Sequence, residues 1–125
     1  MRTVAPGQKW FNAELDMIEI TKVNEANGTF AGTYVRAHDS GNQYDVRGEF
    51  DTEGTTLGWT VQLDEEQDPN HRSSSAVTWC GHSEGESQRP TIVVTLLNTT
   101  YGRNSDGDYV FTVPGFDVFI QEPYG

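Results

Sequence analysis

The sequence predicts an all-β protein, and within that class an eight-stranded antiparallel up-and-down barrel. Three observations support this prediction. No segment shows sustained helical periodicity, short runs of alternating apolar and polar residues recur, and Gly, Asn, Asp or Pro separates these runs. Because no helix is predicted to cover a sheet, a closed barrel is favoured, and a β-sandwich is the alternative. The 125 residues fit one barrel domain spanning residues 1–125.

Each of the eight predicted strands is a short stretch rich in β-branched and aromatic residues. The predicted strands are Trp10–Asn12, Met17–Val23, Thr29–Ala37, Tyr44–Asp51, Thr55–Leu63, Ser75–Gly81, Thr91–Asn98 and Tyr109–Gln121. The last strand contains Pro114 and Gly115, a pair that predicts a bend or a bulge.

The predicted connections carry turn residues. Asn24–Gly28 ends in Asn-Gly and predicts a hairpin loop, and Asn104–Gly107 predicts the last turn. Two polar stretches, Asp64–Ser74 and Gly81–Arg89, are predicted as longer loops.

The net charge limits the classes of partner. Nineteen acidic residues against eight basic ones give a formal charge of −11, which repels nucleic acid phosphates and anionic lipids. We therefore expect no nucleic-acid partner and no membrane partner. The acidity is interpreted as a solubility feature or an adaptation to a salty habitat, with a cationic partner as the alternative.

The sequence leaves the localisation open. Residues 1–7 contain no apolar core of a signal peptide, so a cytoplasmic protein and a secreted protein with its signal removed both fit. The single cysteine, Cys80, excludes an intramolecular disulfide.

No pattern of catalytic or metal-binding residues is evident. His38, His71 and His82 lack a spacing that suggests metal ligation, and no Ser-His-Asp order or phosphate-binding glycine loop stands out. We predict no catalytic residues, no metal and no cofactor. The enzymatic alternative is a barrel cavity in which Asp16 or Asp117 acts as a general base.

Six sequence motifs occur in an order and spacing that resemble the avidin and streptavidin family over nearly the whole chain. They are Trp10–Asn12, Gly28–Tyr34 with Gly48, Thr55–Val61, Ser75–Trp79 with Gly81, Leu96–Leu97, and Gly115–Phe119. The resemblance implies an eight-stranded barrel that binds biotin noncatalytically inside one open end.

The resemblance also implies roles for individual residues. Asn12 and Tyr34 match donors to the ureido oxygen of biotin, and Asp117 matches the acceptor of a ureido N–H. Trp79 and Leu97 match apolar walls. The remaining matches are Ser75, near the carboxylate tail of the ligand; Tyr109, where the family has a tryptophan lent by a neighbouring subunit; and Trp10 and Trp59, which have structural roles.

Several of these positions depart from the family pattern. Asp16 and Arg36 stand where the family has serines that contact the ureido group, and neither has the required hydrogen-bonding sense. Two boxing tryptophans are replaced by Leu63 and Thr95, and Val77 replaces a threonine facing the sulfur. We therefore predict a biotin affinity below that of the family. Asp16 and Arg36 are expected either to pair inside the barrel or to stay separately hydrated.

The sequence further predicts a homo-oligomer, a tetramer first and a dimer as the fallback. The resemblance places Thr95, Leu97 and Asp117 inward, and Ile92, Val94, Leu96 and Phe116 outward. An outward apolar surface favours association. The prediction is thus a binding protein for biotin or a biotin-like small molecule, and the alternative is an avidin-fold oligomer that has lost biotin binding and serves another ligand or a structural role. The predicted ligand-binding residues are Asn12, Asp16, Tyr34, Arg36, Ser75, Val77, Trp79, Thr95, Leu97, Tyr109 and Asp117.

Overall fold

The computed structural model describes residues 4–39, 41–52, 55–68, 71–85 and 90–121. Eight antiparallel strands follow one another around a closed barrel, each paired with the next in the chain, which confirms the predicted fold class. The strands are β1 (Lys9–Phe11), β2 (Met17–Asn24), β3 (Thr29–Val35), β4 (Tyr44–Phe50), β5 (Thr56–Asp68), β6 (His71–Glu84), β7 (Thr91–Asn104) and β8 (Gly107–Ile120), and a short 3-10 helix spans Ala37–Asp39. Within the described part of the chain, no helix is both long and apolar enough to cross a membrane.

The second half of the barrel is built from longer strands than the sequence predicted. Strands β5 to β8 have 13 or 14 residues each, whereas β2 to β4 have 7 or 8. Most of the predicted Asp64–Ser74 loop is therefore strand, with residues 69–70 outside the described ranges. The polar residues fit because the hairpin ladder continues through pairs such as Asp64 with Ser74, and polar side chains suit strand faces that meet solvent.

Strand β8 is continuous where a bend or bulge was predicted. Its pairing with β7 runs from Gly107 to Ile120 without a register shift, and Pro114 faces Leu97 within it. On its other side β8 pairs with β1 through Phe11 and Ile120 alone among the described residues. Pro114 therefore lies on a strand edge with one pairing neighbour, where a missing N–H is tolerated. The pairing therefore shows no bulge at this position, and the predicted bend stays a prediction.

Aromatic side chains fill the closed part of the barrel. The rings of Trp59 and Trp79 stack with centroids 5.7 Å apart, and Phe119 meets Trp59 edge-on at 5.5 Å. Trp10, Trp59 and Phe119 are all at most 3% exposed. The expectation that Trp10 and Trp59 serve core packing is confirmed, since tightly packed aromatic rings supply much of the buried apolar area.

The inward and outward faces of β7 are reversed relative to the prediction. Ile92 and Val94 are 1% exposed and lie in the core, whereas Thr95 is exposed and Leu97 is 52% exposed. Both faces of this strand are apolar in sequence, so alternation alone did not identify the inner one. The pairing of Leu96 with the inward Trp79 sets the orientation instead.

A large apolar surface lies on the outside of the last two strands. Leu97 on β7 and Val110, Phe116 and Val118 on β8 are all exposed, Phe116 to 86%. We call these four residues the β7–β8 outer face. The 86% exposure of Phe116 agrees with its predicted outward direction, and its side chain also borders the cavity mouth. Monomeric soluble proteins rarely leave large apolar surfaces in water.

Gly81 allows β6 and β7 to approach closely, and replacing it should destabilise the barrel. A Cβ atom at Gly81 would lie 1.9 Å from the backbone oxygen of Val93. We expect Gly81→Ala to lower the free energy of unfolding by about 1–3 kcal/mol, measured by urea denaturation at fixed protein concentration. Gly41→Ala is the matched control, because nothing lies within 4 Å of a Cβ there. Equal stability of the two variants would contradict the close approach.

Candidate ligand-binding site

A cavity of about 340 Å³ opens at one end of the barrel, which is within the range of small-molecule sites, roughly 300–1,000 Å³. One end of its lining is polar and the other is apolar. The lining residues are Asn12, Glu14, Asp16, Tyr34, Arg36, Leu63, Val77, Trp79, Leu96, Asn98, Phe116 and Asp117.

The polar end is centred on the side chain of Asn12, which follows β1 and is 7% exposed. Its amide nitrogen donates to Oδ2 of Asp16 at 3.1 Å and to Oδ2 of Asp117 at 2.9 Å. Because a side-chain amide has two N–H donors, these two carboxylates engage both. Asn12 and Asp117, predicted as ligand contacts from distant parts of the chain, are thus brought together.

A tight turn after β1 positions Asp16. The turn is closed by a backbone hydrogen bond from Asn12 N to Asp16 O at 3.1 Å, and Leu15 within it has a φ of 68°. Such a left-handed conformation is uncommon for a residue other than glycine. The side-chain oxygen of Asn12 also accepts the backbone N–H of Asp16 at 2.9 Å. The turn therefore directs the Asp16 carboxylate toward the cavity lining.

Asp16 accepts hydrogen bonds on both carboxylate oxygens. Oδ2 accepts from Asn12 and from the Tyr34 hydroxyl at 3.4 Å, and Oδ1 accepts the backbone N–H of Ala37 at 2.9 Å. Burial and the neighbouring Asp16 carboxylate raise the pKa of Tyr34 far above its ordinary value. Tyr34 therefore remains a neutral hydroxyl donor at physiological pH.

Arg36 has a different acidic partner from the one considered at the sequence level. Its guanidinium donates to Oδ2 of Asp39 at 2.9 Å and to the Tyr44 hydroxyl at 3.2 Å, and lies 5.4 Å from the centre of the Tyr44 ring. Asp39 also accepts from Asn42, and both contacts lower the pKa of the Asp39 carboxyl. Arg36 lines the cavity, and its guanidinium is ion-paired with Asp39 in the segment after β3.

The apolar end consists of Trp79 and three aliphatic side chains, Leu63, Val77 and Leu96. The Tyr34 and Trp79 rings are tilted with centroids 5.5 Å apart. Trp79 is 4% exposed, and its indole N–H has no hydrogen-bond acceptor among the described residues. This end supplies buried apolar area and one donor that a ligand acceptor could use.

Two further predicted residues lie on β6 and β8, outside the lining. The Ser75 hydroxyl is 2.8 Å from that of Thr100. Tyr109 stacks on Phe111 with ring centroids 6.0 Å apart, and its ring occupies the space that a Cβ of the opposing Gly102 would need. In a single chain, Tyr109 therefore packs against its own hairpin.

The structure changes the predicted set of site residues on β7. Thr95 and Leu97 are exposed on the outer surface and do not line the cavity, so their predicted inward orientation is wrong. Leu96 and Asn98 line the cavity in their place, and Glu14 was also missed. Leu96 pairs with the inward Trp79. Because every second residue of a strand lies on the same face, this pairing places Leu96 and Asn98 on the inner face of β7.

The remaining described surface adds neither a metal centre nor a second ligand cluster to this site. Among the described residues, no group of three or more His, Cys, Asp or Glu side chains could hold a metal ion. An open depression of about 740 Å³ crosses β3 to β6 and shares only Trp79 with the cavity lining. The exposed thiol of Cys80 borders this depression.

An up-and-down barrel with a ligand-sized cavity at one open end defines a small-molecule-binding class of protein. The Avidin family model matches residues 2–122, and the chain belongs to the Avidin family, whose members are noncatalytic biotin-binding proteins.

Solved structures of avidin-like proteins share the fold at low sequence identity. Apo shwanavidin is 21% identical, with a TM-score of 0.68 over 97% of this chain and 98% of that one. The rhizavidin–biotin complex is 19% identical, with a TM-score of 0.64 over 92% and 98%. Intact apo afifavidin is 19% identical, with a TM-score of 0.65 over 97% and 84%. Among curated proteins, none matches the chain.

Proposed function

We propose that this protein binds a small molecule noncatalytically in the barrel mouth, and that biotin enters the same cavity with an affinity far below the family's extreme. The observation that carries the proposal is the convergence of Asn12, Tyr34 and Asp117 on one end of a cavity whose other end is apolar. Such a division suits a ligand with a polar ring and an apolar body. Biotin is also the ligand in the solved rhizavidin complex.

The reduced affinity follows from the hydrogen-bonding sense of the polar end. Asn12 and Tyr34, the donors expected to meet a ureido oxygen, already donate to Asp16. An ionised carboxylate only accepts, so Asp16 cannot itself donate to that oxygen. Each unpaired buried polar group costs about 1–3 kcal/mol. Leu63 forms an aliphatic wall where the resemblance implies a tryptophan, and a lost aromatic wall costs a similar amount, about 1–3 kcal/mol.

Calorimetric titration with biotin tests this proposal. The two mismatched polar partners, Asp16 and Arg36, and the aromatic wall replaced by Leu63 together remove about 3–9 kcal/mol, or roughly two to seven orders of magnitude in affinity. Because streptavidin and biotin lie near the upper limit of noncovalent affinity, a Kd of about 10⁻¹³ M or tighter, we expect a Kd in the nanomolar range or weaker. A picomolar Kd would contradict the reduced affinity.

The second candidate is an avidin-fold protein that no longer binds biotin. One observation favours it: Asp16 holds the Asn12 and Tyr34 donors in hydrogen bonds within the protein, so biotin must compete with existing contacts. If calorimetric titration gives no heat of binding at millimolar biotin, and thermal unfolding shows that the protein is folded, this candidate is supported.

We also propose that the protein forms a homo-oligomer, a tetramer ahead of a dimer. The support is the β7–β8 outer face, and Tyr109, Phe111 and Val113, which alternate with it on the other face of β8, are also 38–50% exposed in the single chain. Apolar burial contributes about 25 cal/mol per Å², so covering this surface with a second copy favours association. In such an assembly, Tyr109 would reach toward the cavity of a neighbouring copy, and Cys80 would be packed or paired between subunits.

A further inference from the structure

The polar end of the cavity has many acceptors and few donors. Among the described residues that line the cavity, three carry carboxylates, Glu14, Asp16 and Asp117, and one is a cation, Arg36, which is ion-paired with Asp39. The two N–H groups of Asn12 meet Asp16 and Asp117, and the Tyr34 hydroxyl meets Asp16. The side-chain donors that reach this end from β1 and β3 are therefore already engaged by acidic partners.

Acceptor capacity remains at the same place. An ionised carboxylate offers about four lone-pair positions. Among the described residues, the Asp117 carboxylate accepts two hydrogen bonds, one from the Asn12 amide to Oδ2 and one from the backbone N–H of Val118 to Oδ1. Asp16 accepts three. A ligand group placed here finds carboxylate oxygens to donate to, whereas a ligand acceptor finds donors that must first be withdrawn from those oxygens.

We propose that the cavity selects ligands whose polar head is a planar cation with N–H donors, an amidinium or guanidinium, carried on a small apolar body. This inference rests on the proposed function and names the ligand class of the same site. The planar N–H groups of such a head match carboxylate oxygens geometrically, and charge-assisted hydrogen bonds are about twice as strong as neutral ones. The Tyr34 ring, whose hydroxyl contacts Asp16, favours a cation further.

The apolar end accepts the remainder of such a ligand. Leu63, Val77 and Leu96 surround the body, and the indole N–H of Trp79 is a donor without an acceptor among the described residues. A cationic head with an apolar body therefore satisfies both ends of the cavity, while a neutral urea leaves its oxygen facing Asp16.

The test compares two molecules that differ only at the head. Biotin has a urea, and 2-iminobiotin has an imino nitrogen in place of the ureido oxygen, which makes the protonated head a guanidinium cation. We expect the full chain at pH 7 to bind 2-iminobiotin at least about ten-fold more tightly than biotin in calorimetric titrations, a difference of about 1.4 kcal/mol. Asp16→Asn should reduce this ratio to about one.

Glu49→Gln is the matched control, since it removes one charge from an exposed position of β4 that does not line the cavity. This variant should keep the wild-type ratio. Biotin binding as tightly as 2-iminobiotin, or more tightly, would overturn the inference and leave the proposed function standing. Binding of neither molecule by a folded protein would overturn both. A ratio lost equally in Glu49→Gln would show that net charge, rather than the cavity, sets the preference.

Discussion

Asp16→Ser should raise the affinity for biotin by roughly 30- to 1,000-fold. The substitution removes the acceptor that holds the Asn12 amide and the Tyr34 hydroxyl, and it adds a hydroxyl that can donate to a ureido oxygen. Recovered hydrogen bonds contribute about 0.5–1.5 kcal/mol each, and relief of an unpaired buried group adds about 1–3 kcal/mol. A total of about 2–4 kcal/mol corresponds to the stated range, measured by calorimetric titration.

Glu14→Ser provides the control for this gain. Glu14 also lines the cavity as a carboxylate, but it is exposed and makes no recorded contact with Asn12 or Tyr34 within the described chain. We expect its replacement to change biotin affinity by less than about three-fold, the size of a weak exposed charge effect. If the two variants gain equally, the charge of the cavity limits biotin binding, and the hydrogen-bonding sense of Asp16 does not.

Asp16→Ser should also destabilise the barrel, which provides an independent check on its contacts. The variant loses an acceptor for the backbone N–H of Ala37 and for two side chains. Thermal unfolding at fixed protein concentration should show a loss in the range of about 1–3 kcal/mol.

Leu97→Asp combined with Phe116→Asp should convert the proposed oligomer into single chains. Both residues belong to the β7–β8 outer face and are 52% and 86% exposed in one chain. Burying each apolar side chain contributes about 1.5–3 kcal/mol, and an unpaired carboxylate in its place resists burial. Light scattering after size exclusion should give about four times the 13.9 kDa chain mass for the wild type and a single chain mass for the variant.

Lys22→Glu is the control for this experiment. It changes the net charge by the same amount as two introduced aspartates, at an exposed polar position of β2. This variant should keep the wild-type mass. A wild type with the mass of one chain would overturn the proposed assembly, and an unchanged mass in the double variant would place the interface on another face. Val94 is unsuitable for this test because it is 1% exposed and lies in the core.

Short-range patterns in the sequence predicted the ring of strands, whereas the residues of the polar end were implied by the resemblance to a known family. Alternating runs and turn residues located the strands, and the turn at Asn104–Gly107 is confirmed by the pairing of those two residues and by a hydrogen bond from Asp106 N to the Asn104 side chain. Asn12, Tyr34 and Asp117 line the same cavity, and this grouping was implied by the family motifs because a strand pattern alone does not bring distant residues together.

The predictions that failed depend on relations between strands. The inner face of β7 is set by its register with β6, which an apolar pattern on both faces does not reveal. A different case is the ion pair between Arg36 and Asp39, three residues further along the chain, which was not among the partners considered for Arg36. The sequence predicted β5 and β6 too short because their ends are polar. The hairpin ladder between the two strands stabilises these ends despite their composition.

The strands of the barrel are paired over unequal lengths, and this difference connects ligand binding in the cavity with local opening of the barrel. The β7–β8 ladder runs from Thr91 with Ile120 to Asn104 with Gly107, whereas β1 meets β8 at Phe11 and Ile120. We call this short β1–β8 pairing the seam of the barrel. A short pairing of this kind is the part of the backbone that opens at the least cost in free energy. The hydrogen bond from Asn12 to Asp117 crosses the same seam from the cavity side. A molecule that binds only when these two residues are in place therefore stabilises the closed ring by mass action. Ligand binding in the cavity thus lowers the frequency with which β1 and β8 separate.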